Sequence, residues 1–134
     1  MNANSKLAAG VLSGLLIGVT VAGVLHAEQT RVPVAYLIAE VERDPAKPAD
    51  PAAAKEYAEQ APKSIVPFSG RYVVRGGETE TLEGEPPKGY IVVIAFDSME
   101  KARGWYHSPQ YEALKPIRQG STKSRLLLVQ GVAP

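Results

Sequence analysis

Apolar and polar positions change rhythm several times along this chain. Leu7 to Leu25 is one uncharged stretch. After it, short apolar runs of strand length alternate with segments whose apolar residues recur at helical spacing. Val32 to Glu42 reads as a strand, with Val34, Tyr36 and Ile38 on one face and Ala35, Leu37 and Ala39 on the other. Arg43 to Ala49 is a loop rich in Pro and Asp. Asp50 then reads as an N-cap, with Pro51 at the first helical position, where its missing N–H costs nothing. That helix runs towards Gln60, and Pro62 and Pro67 limit or break it. Gly70 to Arg75 is a second strand, Gly76 and Gly77 supply a turn, and Thr79 to Leu82 reads as a short edge strand. Past the Pro/Gly loop Gly84 to Gly89, Tyr90 to Phe96 is a strong third strand. Asp97 with Glu100 makes a capping-box-like helix start. Ser108 and Pro109 end that helix and cap the next, Pro116 kinks or ends the second piece, and Arg125 to Gln130 is the last strand. The order β-α-β-β-α-β predicts an α+β, ferredoxin-like fold.

In IVVIAF (Ile91–Phe96) and LLLV (Leu126–Val129) the apolar residues do not alternate with polar ones. Two helices cover one face of a four-stranded sheet, and a sheet solvated on its other face alternates apolar and polar. The second face therefore needs a cover. The simplest is the same face of a second copy, which predicts a homodimer through the sheet face.

The N-terminus sets the address. Lys6 is the one charged side chain before Glu28, and residues 7–25 form an uncharged run followed by His26 and Ala27. Residues 1–27 thus read as a secretory signal cleaved after Ala27, or as a retained membrane anchor. Leu25 stands where a small residue is preferred before cleavage. The run exceeds the usual h-region of about 7–15 residues and just reaches the roughly 18 that span a bilayer. Gly10, Gly14 and Gly18 recur at the spacing of packed membrane helices. Either form places the folded part, residues 28–134, in the periplasm or another extracytoplasmic space, touching membrane only through residues 7–25 if these are kept.

Charge adds little. The chain has 15 Lys and Arg against 14 Asp and Glu, so the exported part is near neutral, with no basic stripe for nucleic acid. It has no cysteine, which removes disulfides, thiolate chemistry and a lipoprotein anchor. No cofactor motif is legible.

Candidate chemistry centres on Phe96–Arg118. Met99, Ala102 and Tyr106 share a helix face, with Trp105 at its edge; this is core covering the sheet, or the aromatic wall of a pocket below Pro109. His107 is the one histidine after Ala27. It serves as a proton shuttle or haem ligand, or more simply meets the last carbonyls of its helix. Without a second histidine, a cysteine or acids at ligand spacing, a structural metal site is not expected. Arg75-Gly76-Gly77 is too short for a phosphate signature and reads as a tight turn. Glu78, Glu80 and Glu83 read as a solvated edge, Glu83 being the one kept as a pocket carboxylate and weak general-base candidate. Arg118 caps carbonyls or holds a substrate carboxylate. No serine lies in an elbow motif.

The segments AYLIAEVE (Ala35–Glu42), GRYVVRGG (Gly70–Gly77), LEG (Leu82–Gly84), VVIAF (Val92–Phe96), SMEKARGWYHSPQY (Ser98–Tyr111) and LLLVQG (Leu126–Gly131) resemble the family known as domain of unknown function 1330, of the dimeric α+β barrel superfamily. The resemblance covers about Pro33 to Val132. It implies a ferredoxin-like protomer and a barrel made by a dimer, and it implies no activity. The Asp44–Asp50 loop is longer than the family pattern, and the N-terminal segment is an addition to it. Two function classes follow. One is a small-molecule-binding domain or cofactor-independent enzyme with a pocket between helices and sheet, its ligand held by Tyr36, Tyr72, Arg75, Trp105, Tyr111 and Arg118, with Glu83 and His107 as catalytic candidates. The other is a non-catalytic dimerisation or interaction module of the cell envelope. Polar side chains converging on one cavity favour the first; a closed apolar core favours the second.

Overall fold

The computed structural model describes residues 34–132. The expected signal or anchor, residues 1–27, lies outside the described residues. Strand β1 (Ala35–Arg43) leads through a loop to helix α1 (Pro51–Ile65), a single 3-10 turn (Val66–Phe68) and strand β2 (Arg71–Arg75). Strand β3 (Tyr90–Phe96), helices α2 (Met99–Tyr106) and α3 (Pro109–Gln119) and strand β4 (Thr122–Gln130) complete it. The four strands form one antiparallel sheet in the order β2-β3-β1-β4, the ferredoxin-like arrangement expected from the element order.

Register decides which face each residue takes. Leu37 lies between Ile94 and Leu128, while its neighbour Ile38 lies between Val93 and Leu127. The first set faces the helices. Ala35, Leu37, Ala39, Val41, Ile94 and Phe96 are buried there against Ala61, Ile65, Ala102, Trp105, Tyr111 and Leu114. The second set forms the opposite face, where no helix of the described residues packs. Leu127 and Val129 are 43% and 42% exposed, and Ile38, Ile91 and Val93 are half-buried between their neighbours. This apolar outer face is the one that the non-alternating strands announce.

Several boundaries differ from the sequence expectation, each for a local reason. Helix α1 does not stop near Gln60 but runs through Pro62 to Ile65. Proline removes the N–H that would bond the carbonyl of residue 58. Here Arg75 Nη2 donates to that Ala58 carbonyl at 3.0 Å, replacing the lost partner. Pro116 likewise lies inside α3 rather than ending it. The cap of α2 is Ser98, not Asp97: its side chain accepts from the Lys101 amide, and Asp97 bonds the Lys101 ammonium instead. No strand forms over Thr79–Leu82. Its one large apolar side chain, Leu82, is 84% exposed, so pairing would order backbone without burying apolar surface. β2 is irregular between Tyr72 and Val74, which skews this edge of the sheet. Finally, β4 begins at Thr122, three residues before the expected start at Arg125, because Ser124, Lys123 and Thr122 continue to pair with β1.

Candidate functional site

The helices do not close fully on the sheet. Between α1, α3 and the inner sheet face lies a cavity of about 190 Å³. Its deep part is apolar, with Leu37, Ala39, Val92, Ile94 and Leu126 from the sheet and Trp105 beside them. Its mouth lies between α1 and β2, where Ala54, Ala58, Arg75 and Tyr90 are exposed. The opening follows from sequence. α1 presents alanines at 54 and 58, side chains too small to reach across.

The wall is set by one serine. Ser108, 8% exposed, ends α2 by donating its hydroxyl to the Trp105 carbonyl at 2.7 Å. The same oxygen accepts the Tyr111 amide at 3.2 Å and so caps α3. Pro109 at the first position of α3 requires the extended backbone seen at Ser108. The junction brings the Trp105 and Tyr111 rings to 4.0 Å between centroids, with Phe96 stacked 5.6 Å behind Trp105. The indole N–H donates to Ser64 Oγ at 2.9 Å, and Ser64 donates to the Ala61 carbonyl at 2.7 Å. Trp105 is therefore at the centre of the buried helix face, not at its edge, while Met99 and Tyr106 are half-buried.

The polar groups of the cavity are phenols and guanidinium groups. Tyr57 of α1 and Tyr111 of α3 share a hydrogen bond at 3.1 Å between their hydroxyls. Burial, and the neighbouring Tyr111, push the Tyr57 phenol far above its ordinary value, although the positive charge of Arg118 pulls it back part of the way. Burial also raises Tyr72, against the opposing pull of Arg75, whose guanidinium lies 4.9 Å from the Tyr72 ring centroid. Arg118 lines the cavity from the last turn of α3 and is 9% exposed, and its Nε is buried with no hydrogen-bond partner. Among the described residues no carboxylate lines this cavity.

Of the residues singled out in the sequence, Tyr72, Arg75, Trp105, Tyr111 and Arg118 come together here. Tyr36, Glu83 and His107 do not. Tyr36 belongs to the outer sheet face, paired across to Ala95 and Val129. Glu83 is exposed in the 76–89 loop, since the strand expected to carry it does not form. The His107 side chain is 72% exposed at the end of α2, with Nδ1 3.8 Å from the Glu112 carboxylate. It borders a second, more open cleft of about 390 Å³ with Arg103, Tyr106 and Leu126–Leu128, which gathers fewer hydroxyl and cationic groups. Tyr57 was missed. It is the one aromatic residue of α1, set among alanines and charges, and that isolation was the available signal. Among the described residues no group of three or more His, Cys, Asp or Glu is placed to hold a metal ion.

The chain belongs to the domain of unknown function family DUF1330, whose model matches residues 34–132. No curated protein matches it. Among solved structures it is similar to a protein of unknown function from Rhodopseudomonas palustris, with 18% identity, a TM-score of 0.59 and coverage of 76% of this chain and 85% of that one. It is also similar to a dimeric ferredoxin-like protein of unknown function from Thermobifida fusca, with 14% identity, a TM-score of 0.51 and coverage of 73% and 91%. A further similar structure is SnoaB, a cofactor-independent oxygenase from Streptomyces nogalater, with 11% identity, a TM-score of 0.52 and coverage of 77% and 97%. At these identities the likeness shows the fold alone.

Proposed function

We propose that this chain is an exported, homodimeric small-molecule-binding protein whose ligand occupies the cavity between the helices and the sheet. The observation that carries the reading is the lining: an apolar interior with hydroxyl and cationic groups converging on it from two helices and three strands. A few placed polar groups in an apolar concavity are the usual form of a ligand site. The wall is rigid, because Ser108 and Ser64 hold Trp105 and Tyr111 in place.

A cofactor-independent enzyme is the second reading, supported by the fold shared with an oxygenase of that kind. Binding is favoured over it. The side chains at the cavity that ionise are tyrosines and arginines, and burial keeps Tyr57 and Tyr72 protonated. A general base poised near neutral pH is what proton abstraction asks for, and protonated phenols instead donate hydrogen bonds.

Assembly and address are parts of the same proposal. The apolar outer sheet face supports a homodimer through that face, and a dimeric ferredoxin-like protein shares the fold. The uncharged run at residues 7–25 supports export to the periplasm or an equivalent compartment, as a cleaved or an anchored form. Native mass spectrometry of the chain purified without unfolding tests the binding reading. The expected result is a small-molecule mass excess, released on unfolding and abolished by Ala58→Trp, which fills the mouth. A folded protein with no retained mass, and no thermal shift with any fragment of a small-molecule library, overturns it.

A further inference from the structure

We propose that the ligand is a small carboxylic acid, bound as its anion with the carboxylate on Arg118 and its apolar body against Trp105. The inference rests on the reading of the cavity as a ligand site and adds the chemical class of what enters it. Its basis is a charge without a partner. Arg118 is 9% exposed, its Nε has lost water and gained no acceptor, and its guanidinium makes no ion pair among the described residues. Buried charges are normally paired, because an isolated ion loses its hydration for nothing. Here the remaining cation of the lining, Arg75, has the same sign, and among the described residues no carboxylate lines the cavity to compensate either. The missing acceptor is what the cavity is shaped to receive.

Geometry narrows the class. Nε with its neighbouring Nη forms one edge of the guanidinium fork, which meets the two oxygens of a carboxylate in parallel hydrogen bonds. The Tyr57–Tyr111 pair adds a donor. Two phenols hold two hydroxyl hydrogens, and their mutual bond uses one, leaving the other for an anionic oxygen. Size narrows it further. About 190 Å³ lies below the roughly 300–1,000 Å³ of sites for drug-sized ligands, so one ring or a short branched chain fits and a fused ring system does not. Leu37, Ile94 and Leu126 offer that body no hydrogen bond.

Isosteric probes on the full chain test this, read by quenching of the single tryptophan, which lines the cavity, and by calorimetry. The probes are benzoate, benzamide and benzylamine. Benzoate is expected to bind at least tenfold more tightly than benzamide, and benzylamine not to bind. Arg118→Gln is expected to remove that preference, weakening benzoate tenfold or more while leaving benzamide within twofold. Arg118→Met is expected to keep or raise the melting temperature of the ligand-free protein, since it replaces an unpaired buried cation with an apolar chain of similar length. Equal binding of benzoate and benzamide, unaltered by Arg118→Gln, overturns the anion assignment and leaves the cavity as a site for neutral molecules. A melting temperature several degrees lower in Arg118→Met also overturns it, because the cation then serves the fold. Failure of every probe to enter the parent protein overturns this inference and the binding reading together.

Discussion

Removing a single hydroxyl, in Ser64→Ala, measures how firmly the inner wall of the cavity is held. Trp105 is 1% exposed and Ser64 is 0% exposed. The indole N–H has Ser64 Oγ as its acceptor at 2.9 Å. An indole nitrogen only donates, so alanine leaves it unsatisfied where water does not reach. The cost is the full desolvation penalty of that group, about 1–3 kcal/mol, rather than the smaller net worth of an exchangeable hydrogen bond. Loss of the Ser64 donation to the Ala61 carbonyl adds little, since helix carbonyls have a backbone donor as well. A central value of about 2 kcal/mol lowers the melting midpoint by on the order of 10 °C in a domain of this size. Thermal and urea unfolding, followed by circular dichroism and by the single tryptophan, measure it. The control is the same substitution in a Trp105→Phe background, which has no N–H to strand. The two changes are expected to couple by at least about 1 kcal/mol. Ser64→Ala within about 0.5 kcal/mol of the parent, or equal costs in the two backgrounds, refutes the anchoring of Trp105 by Ser64.

Neighbouring residues on β3 separate assembly from folding: Val93→Asp is expected to give folded monomers by light scattering, opposing association by about 3–5 kcal/mol through an unpaired buried ion, whereas Ile94→Asp, at 2% exposure on the core side, is expected to unfold the protomer. A Val93→Asp protein that remains dimeric counts against the outer face as the interface. Arg75→Gln is expected to cost about 0.5–1 kcal/mol in the parent and nothing measurable beside Pro62→Ala, which restores a backbone donor to the Ala58 carbonyl; equal costs in both show that Arg75 does not repair the helix. Stability is expected to be full below about pH 10 and to fall as pH rises past it, because Tyr57 and Tyr72 have raised values in the fold and the unfolded chain loses those protons first. Urea midpoints across that range check the slope, and a flat profile contradicts burial of the two phenols.

The parts of the fold legible in the sequence were those set by short-range pattern. β3 was bounded correctly because IVVIAF has no competing period, and the α2–α3 junction because Ser-Pro dictates both the end of one helix and the cap of the next. What failed depended on distant partners. Pro62 reads as a terminator until Arg75, thirteen residues on, supplies the bond it lacks. The 79–82 strand fails because nothing in its composition reports that the sheet ends at β2. For the site, Tyr72, Arg75, Trp105, Tyr111 and Arg118 were found, but Tyr36 was not: period separates the two faces of β1 without telling which one the helices cover. Glu83 and His107 were placed by chemistry alone, and chemical type does not fix direction: one lies in an exposed loop and the other points from a helix end towards Glu112.

The departures from local rules cluster around the cavity, and that clustering is itself informative. A proline sits inside the helix above it, alanines stand where α1 could have carried leucines, and the Nε of a buried guanidinium lacks a partner among the described residues. Each is unfavourable or neutral for stability alone. A sequence selected only to close a core would fill 54 and 58 with larger chains and replace Arg118 with methionine or leucine, gaining burial and shedding an uncompensated ion. Across β3, β1 and β4 the outer sheet face shows no comparable irregularity; its apolar side chains there are ordinary strand formers in regular register. If dimerisation were the domain's whole purpose, the inner side would be free to pack tightly. Instead the costs fall on the inner side, at the walls and mouth of one space, which is where natural sequences accept such costs when a site has to be kept open.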